Sequence, residues 1–316
     1  MQQEKFRTTS RHGYSVRYSP FNPTRLACST AQNYGLQGNG TLFILESVHG
    51  EPIRLVKTFE WPDGLYDVTW SEIQDHVVVL AGADGNIIFL DLVGHNAPRL
   101  VLKGHTKEVS NIEWNQTRQE QLLATASWDQ LIKVWDPQTG SLLHTYEGHT
   151  NKVYCATWSP HIPRLLASTS GDGTLRLWNL PEPVPVATIP AHPCEVLSCD
   201  WSKYSQSIIA TSGIDGLIRG WDIRNIKRPA FELRGHNYAI RRIKFSPHND
   251  SVLASVSYDF TTRIWDWKKS PEALMVLQNH KEFVFGLDFN LHVRGQIADC
   301  SWDQSVCISH LPANYF

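Results

Sequence analysis

An aromatic residue returns every 43 to 44 residues along most of this 316-residue chain. The series is Tyr18, Trp70, Trp114, Trp158, Trp201, Phe245 and Phe289, with gaps of 52, 44, 44, 43, 44 and 44. An acid keeps the same period at Asp84, Asp129, Asp172, Asp215, Asp259 and Asp303. Nine residues before the aromatic stands a histidine in five copies, His105, His149, His192, His236 and His280. Six residues after the acid come Trp135, Trp178, Trp221 and Trp265. A period of this length marks a supersecondary unit that cannot bury its own apolar face and must stack against copies of itself.

Each unit is β-rich. The stretch "KVYCATWSP", then "LLASTSGDG", "TLRLWNL" and "VPVATIP", reads as four short strands separated by turn residues. Four-stranded units of about 44 residues with Gly-His and Trp-Asp signatures resemble the WD-repeat family, whose fold is a β-propeller. Seven aligned aromatics then imply an all-β, seven-bladed propeller occupying residues 1–316 as one domain. After Asp303 only "QSVCISHLPANYF" remains, enough for one further strand. Residues 5 to 10, "KFRTTS", are therefore expected to supply the outer strand of the last blade and close the ring without a free sheet edge.

The recurring residues include trios that read superficially as nucleophilic triads. They are His105, Ser127 and Asp129; His149, Ser170 and Asp172; His192, Ser212 or Gly213, and Asp215; His236, Ser257 and Asp259; His280, Ser301 and Asp303. A catalytic site is seldom copied five times around one chain, whereas a structural hydrogen-bond network is. In WD-repeat proteins such residues join the tryptophan indole in a buried network, which assigns Trp135, Trp178, Trp221 and Trp265 to it as well. No nucleophile–base pair or metal cluster stands outside the repeats, so an enzyme has little support, and neither cofactor nor metal is expected.

Trp128 behaves differently from Trp135. Its equivalents are Ala83, Gly171, Ile214, Tyr258 and Trp302, so the fold does not dictate that position. In the WD-repeat family it lies in the turn on the top face, around the central channel, where an aromatic is a natural interface anchor. Packing between neighbouring blades is the alternative. Four residues before the aligned aromatic stand Tyr14, Tyr66, Ser110, Tyr154, Leu197, Arg241 and Phe285; six before stand His12, Gly64, Glu108, Lys152, Glu195, Ala239 and Phe283. By the two-residue period of a strand these share a face. Asp63, Asp67 and Glu282 lie nearby in sequence. Aromatics combined with carboxylates suit an amphipathic, basic segment; a merely solvated rim is the alternative. Repeats one and two depart from the pattern, with Thr9 and Trp61 at the histidine position and an insert, "AQNYGLQGNGTL", where the first acidic turn belongs.

Composition narrows the partners. The 29 basic residues against 31 acidic ones leave a formal charge of −2, with no basic surplus for nucleic acid. No apolar run approaches the roughly 18 to 20 residues of a membrane span. "MQQEKFRTTS" lacks the apolar core of a secretory signal, and "PANYF" is not a peroxisomal address of the Ser-Lys-Leu type. The six cysteines show no CxxC spacing and read as small buried hydrophobes in a reducing compartment.

Stretches outside the repeat consensus carry a narrower resemblance. They are "ACSTAQNYGLQGNGTL", "DGLYDVTWSE", "WSPHIP", "IPAHPCEVLSCDW", "YAIRRIKFSP", "EFVFGLDF" and "ADCSWD". Together they resemble the family of peroxisomal import receptors for the type 2 targeting signal. The resemblance implies a short N-terminal cargo signal of the form Arg-Leu, five residues, then His or Gln, then Leu. It also implies a co-receptor, either a long form of the type 1 signal receptor or a fungal counterpart, and a docking complex at the peroxisomal membrane. The receptor would be cytoplasmic, shuttling to the peroxisome. The candidate signal-binding residues are then Asp63, Tyr66, Glu108, Trp128, Tyr154, Glu195, Tyr258, Glu282, Phe285 and Trp302. A generic scaffold, such as a substrate adaptor of a ubiquitin ligase, is the competing reading.

Overall fold

The computed structural model describes residues 3–48, 50–94, 97–117 and 120–312. Among the described residues, twenty-eight strands form seven antiparallel sheets of four strands each. The innermost strands are His12–Tyr18, Leu65–Trp70, Val109–Trp114, Val153–Trp158, Val196–Trp201, Ile240–Phe245 and Val284–Phe289. Each ends in the periodic aromatic, and all seven aromatics are buried. Second strands such as Leu165–Ser170 are buried at every residue because a blade is covered on both faces. The outer strand Pro98–Lys103 alternates half-buried and exposed, as a sheet edge facing water does.

The apolar cores lie between blades. Val153, Trp158 and Trp178 of blade four pack on Ala124, Ile132 and Tyr146 of blade three. The same arrangement repeats at the seam, where Ala298, Cys300, Val306 and Ile308 of the last blade meet Val16, Leu26 and Cys28 of the first. Strand Gln3–Arg7 pairs antiparallel with Ser305–His310, placing Lys5 opposite Cys307. The N-terminal closure is therefore present, but its strand begins two residues earlier than expected. Thr8 turns the chain away, its backbone N–H bonding the Gln304 carbonyl at 2.9 Å.

One local device recurs in every blade. The pairing of the inner strand slips by one residue near its start, between Gly13 and Ser15, Leu65 and Asp67, Val109 and Asn111, Val153 and Cys155, Val196 and Ser198, Ile240 and Arg242, and Val284 and Gly286. The extra residue of such a bulge is unpaired, and its side chain is re-aimed. The seven skipped residues are Tyr14, Tyr66, Ser110, Tyr154, Leu197, Arg241 and Phe285. Simple alternation groups these positions correctly. The bulge is the reason they turn toward the channel mouth while the next residues turn into the channel.

Candidate functional site

In blades three to six the periodic polar residues form one repeated chain of hydrogen bonds. His105 Nδ1 lies 2.9 Å from Asp129, its Nε2 2.8 Å from the Thr125 hydroxyl, and the Trp135 indole donates to that hydroxyl at 3.0 Å. His149, Asp172, Ser168 and Trp178 repeat this, as do His192, Asp215, Thr211 and Trp221, and His236, Asp259, Ser255 and Trp265. The linking hydroxyl is two residues upstream of the one expected. Ser127 instead accepts the Asp129 N–H at 3.1 Å and donates to the Lys107 carbonyl; Ser170, Ser257 and Ser301 are placed alike. Position along the strand explains the difference: residues 125 and 127 share a face, but Thr125 pairs with Lys133, two residues from Trp135, while Ser127 ends the strand at the turn. Burial holds His105, His149 and His236 below the ordinary histidine range, so each is a neutral ring between a hydroxyl and a carboxylate.

Blade seven replaces this chemistry. His280 Nε2 faces Asp299 at 3.0 Å where the other blades have a hydroxyl, and Nδ1 faces Asp303 at 3.1 Å. Both ring nitrogens must donate, so the ring is an imidazolium. Burial opposes that charge, but Asp299 and Asp303 outweigh it and hold His280 well above the ordinary range. Cys307 completes a buried group of possible metal ligands with His280 and Asp299. Their place in the blade network accounts for all three. In blade two, Trp61 occupies the histidine position, and its indole reaches Asp84 at 2.9 Å.

The seven bulges open onto a cavity of about 720 Å³ at one mouth of the channel. Its walls divide by chemistry. Blades six, seven, one and two contribute aromatics: Tyr258, Phe285, Trp302, Tyr14 and Tyr66. Phe285 stacks on Trp302 at 4.5 Å, and Tyr14 on Tyr66 at 4.7 Å. Blades three to five contribute both carboxylates, Glu108 and Glu195, with Ser110 and Lys152, beside Trp128, Tyr154, Leu197 and Ile214. The Tyr154 hydroxyl donates to Glu195 at 2.6 Å. Burial first, then the charges of Glu108 and Asp63, push the Tyr66 phenol up to about 12.

Trp128 stands at the border of the two halves. It is half-buried, 6.1 Å from Tyr66, and its ring carries the Lys152 ammonium at 3.8 Å. Its backbone N–H bonds the Glu108 carbonyl at 3.0 Å, which fixes the two side by side. Packing against a neighbouring blade and exposure to the cavity thus coexist at this residue. The indole N–H groups of Trp128 and Trp302 are both buried without a partner.

Eight of the ten expected site residues line this cavity: Tyr66, Glu108, Trp128, Tyr154, Glu195, Tyr258, Phe285 and Trp302. Asp63 and Glu282 do not. Asp63 is turned back onto the Gly64 N–H at 2.7 Å, and Glu282 is exposed outside the mouth. Asp67, the residue after a bulge, is fully buried in the channel, where it takes the Asn111 amide at 2.6 Å and Arg242 at 3.1 Å. It is not a top-face acid. Burial opposes its charge, yet Arg242 and Arg17 hold it far below the usual carboxylate range.

The insert of blade one was not among the expected site residues, although its sequence stands out. Asn33–Gly35 forms a 3₁₀ turn at the mouth. The Tyr14 hydroxyl donates to the Tyr34 carbonyl at 2.8 Å and the Tyr66 hydroxyl to the Gly35 carbonyl at 3.1 Å, so two blades hold the insert. Tyr34 stacks on His12 at 4.0 Å, and Leu36 is 86% exposed at the rim. Positive φ at Tyr34 and Gly35, 57° and 73°, gives the turn its sharpness. Among the described residues no helix is long and apolar enough to cross a membrane.

Similarity to known proteins agrees with this geometry. The model for the WD domain, G-beta repeat, matches residues 96–136, 140–179, 183–222 and 227–266. These segments end in the four tryptophan-bearing strands; the unmatched blades are those with altered networks. The peroxisomal targeting signal 2 receptor of Homo sapiens is 59% identical over 239 residues, covering 76% of this chain and 74% of the human protein. The receptor of the same name from Dictyostelium discoideum is 44% identical over 129 residues, 40% of each chain. Peroxisome biogenesis protein 7 of Arabidopsis thaliana is 40% identical over 127 residues, covering 39% of this chain and 40% of the plant protein.

Proposed function

The chain belongs to the WD-repeat family of peroxisomal targeting signal 2 receptors, and from that premise we propose that it binds the type 2 signal of cargo enzymes in the cavity at the channel mouth and delivers them to the peroxisomal matrix. The observation that carries the reading is the division of the cavity into an aromatic half and a half bearing Glu108 and Glu195. A signal of the form Arg-Leu, five residues, His or Gln, then Leu is amphipathic as a helix, because its positions 1, 5 and 8 lie along one face. Its leucines cover the aromatics of blades six, seven, one and two. Its arginine meets a carboxylate of blade three or five. This is recognition of a helix in a groove.

A co-receptor, the long form of a type 1 signal receptor or a fungal counterpart, covers the exposed side of the bound signal. The complex then engages the docking machinery of the peroxisomal membrane, and the receptor returns to the cytoplasm. The exposed apolar residues at the rim, Leu36, Ile214 and Tyr238, support a second protein surface there. A generic scaffold is not favoured, because it gives no reason for a carboxylate–aromatic partition at the channel mouth.

The test is direct. A fluorescent signal peptide is titrated with the full chain, with and without co-receptor, beside a peptide in which the arginine and leucines are scrambled. Saturable binding of the authentic signal alone is expected. Equal binding of both peptides would leave the scaffold reading.

A further inference from the structure

We propose that Arg241 sets the direction in which a bound signal helix lies, by facing the helix's C-terminal end while Glu108 faces its N-terminal arginine; the inference rests on the signal-receptor reading above. Arg241 and Arg242 are neighbours with opposite environments, because the bulge of blade six separates them. Arg242 points into the channel and is neutralised there, 3.1 Å from Asp67 and 2.9 Å from the Ser15 hydroxyl. Arg241 lines the cavity, half-buried, with its guanidinium 5.4 Å from the centre of the Phe285 ring. It makes no hydrogen bond or ion pair among the described residues. The other cation of the cavity, Lys152, is committed to the Trp128 ring at 3.8 Å.

A cation in contact with water is comfortable, but one covered by a ligand needs an acceptor. The type 2 signal specifies no carboxylate. Its helix nevertheless ends in unpaired carbonyl groups carrying about half a negative charge. A guanidinium, with five donors in a fixed fork, is well suited to such a cluster of carbonyls. Position around the ring then gives direction. Glu108 belongs to blade three and Arg241 to blade six, across a ring of seven, whereas Glu195 belongs to blade five, next to the blade of Arg241. Tyr258 lies within reach of both Arg241 and Glu195, whose opposite charges act on its phenol. A helix laid the other way would bring its arginine toward Arg241 and its carbonyl end toward Glu108, repelled at both ends.

Three signal peptides distinguish this from a signless groove. They are amidated and differ only in the residue after the last leucine, which is Asn, Asp or Lys. With the full chain and co-receptor, the Asp peptide is expected to bind more tightly than the Lys peptide by about two- to tenfold. Arg241→Gln should bring that ratio to one, and Arg241→Glu should reverse it, at unchanged melting temperature. A ratio that stays at the wild-type value in both variants overturns the proposal while leaving the receptor reading intact. Absence of saturable binding by the wild type overturns both. A photo-crosslinker at the C-terminal end of the peptide should label blade six, at Asn237 or Tyr238; labelling of blade three from that end also overturns the proposal.

Discussion

Lys5, on the first strand, lies 3.3 Å from Asp303, on the last turn of the ring. Blades four to six pair the corresponding aspartate with Arg176, Arg219 or Arg263 four residues downstream. Blade seven has Cys307 at that place, and the missing cation arrives from the other end of the chain. The Lys5 side chain is 39% exposed, so the pair itself is worth only about 0–1 kcal/mol. The strand that carries it is worth far more, because it completes the sheet. Deletion of residues 1 to 10 should therefore open the ring, with insolubility or a large fall in melting temperature, whereas Lys5→Gln should change stability only slightly. Equal melting of the truncated and full chains would show that the N-terminal strand does not hold the seam.

The seam blade should also respond to pH differently from the rest. His280 is held above its unfolded value of roughly 6.5 by two carboxylates. A group raised on folding contributes stability that is fully present below its unfolded pKa and is lost as pH rises through the folded one. Asp303 is shifted the opposite way, held far below its ordinary range with His280 as partner. Its contribution is present above the unfolded carboxylate pKa and is lost as pH falls through the folded value. Urea unfolding from about pH 6 to about pH 10 should thus show an alkaline decline that His280→Gln abolishes. The neutral His149 should contribute none of it, so a decline that survives His280→Gln would refute the assignment.

The ring was legible in the sequence because its cause is repeated. One side chain in each blade must fill each inter-blade core, and a repeated requirement leaves a period. Seam closure was legible by counting strands, though its boundary was off because the N-terminal segment carries no repeat signature of its own. The network was legible in its histidine, aspartate and tryptophan, but not in its hydroxyl. Thr125, Ser168, Thr211 and Ser255 vary between two residue types, while the serine two places later recurs more plainly. The site was legible in part. Alternation grouped Glu108 with Ser110, Lys152 with Tyr154 and Ala239 with Arg241, but it puts Arg242 on the face of Ile240, because the bulge that turns Arg242 into the channel leaves no mark in a single sequence. Asp67 was misplaced for the same reason.

The two tryptophans of "SWDQLIKVW" separate stability from binding. Trp135 is buried and donates to Thr125 at 3.0 Å, in a chain that ends at Asp129. Trp135→Phe removes that donor and should cost about 1–3 kcal/mol. Trp128 has no hydrogen bond to lose from its indole, and its ring faces Lys152 and the cavity. Trp128→Ala should cost less stability but weaken signal-peptide binding by about 1–3 kcal/mol. Chemical unfolding and peptide titration of both variants decide the matter. Equal stability losses with unchanged affinity would show that both residues serve the fold alone.

Glu108 is the expected partner of the signal arginine. Its carboxylate adds to the upward push on the Tyr66 phenol, which places it at the border of the aromatic half. Trp128 stands beside it through the backbone bond at 3.0 Å, so an arginine there meets a carboxylate and an aromatic face together. Glu195 also lines the cavity, but its carboxylate already takes the Tyr154 hydroxyl at 2.6 Å, and it and Arg241 both act on the Tyr258 phenol. Asp63 lies back from the mouth, engaged by the Gly64 N–H. An exposed pair is worth about 0–1 kcal/mol, whereas one shielded by a co-receptor loses about 2–5 kcal/mol when a single partner is removed. Glu108→Gln keeps the shape and removes the charge. Measured with co-receptor present, it should weaken signal binding and flatten its salt dependence, with a smaller loss when co-receptor is absent. If affinity and salt dependence both keep wild-type values, Glu108 is not the partner, and Glu195→Gln followed by Asp63→Asn become the variants that decide where the arginine sits.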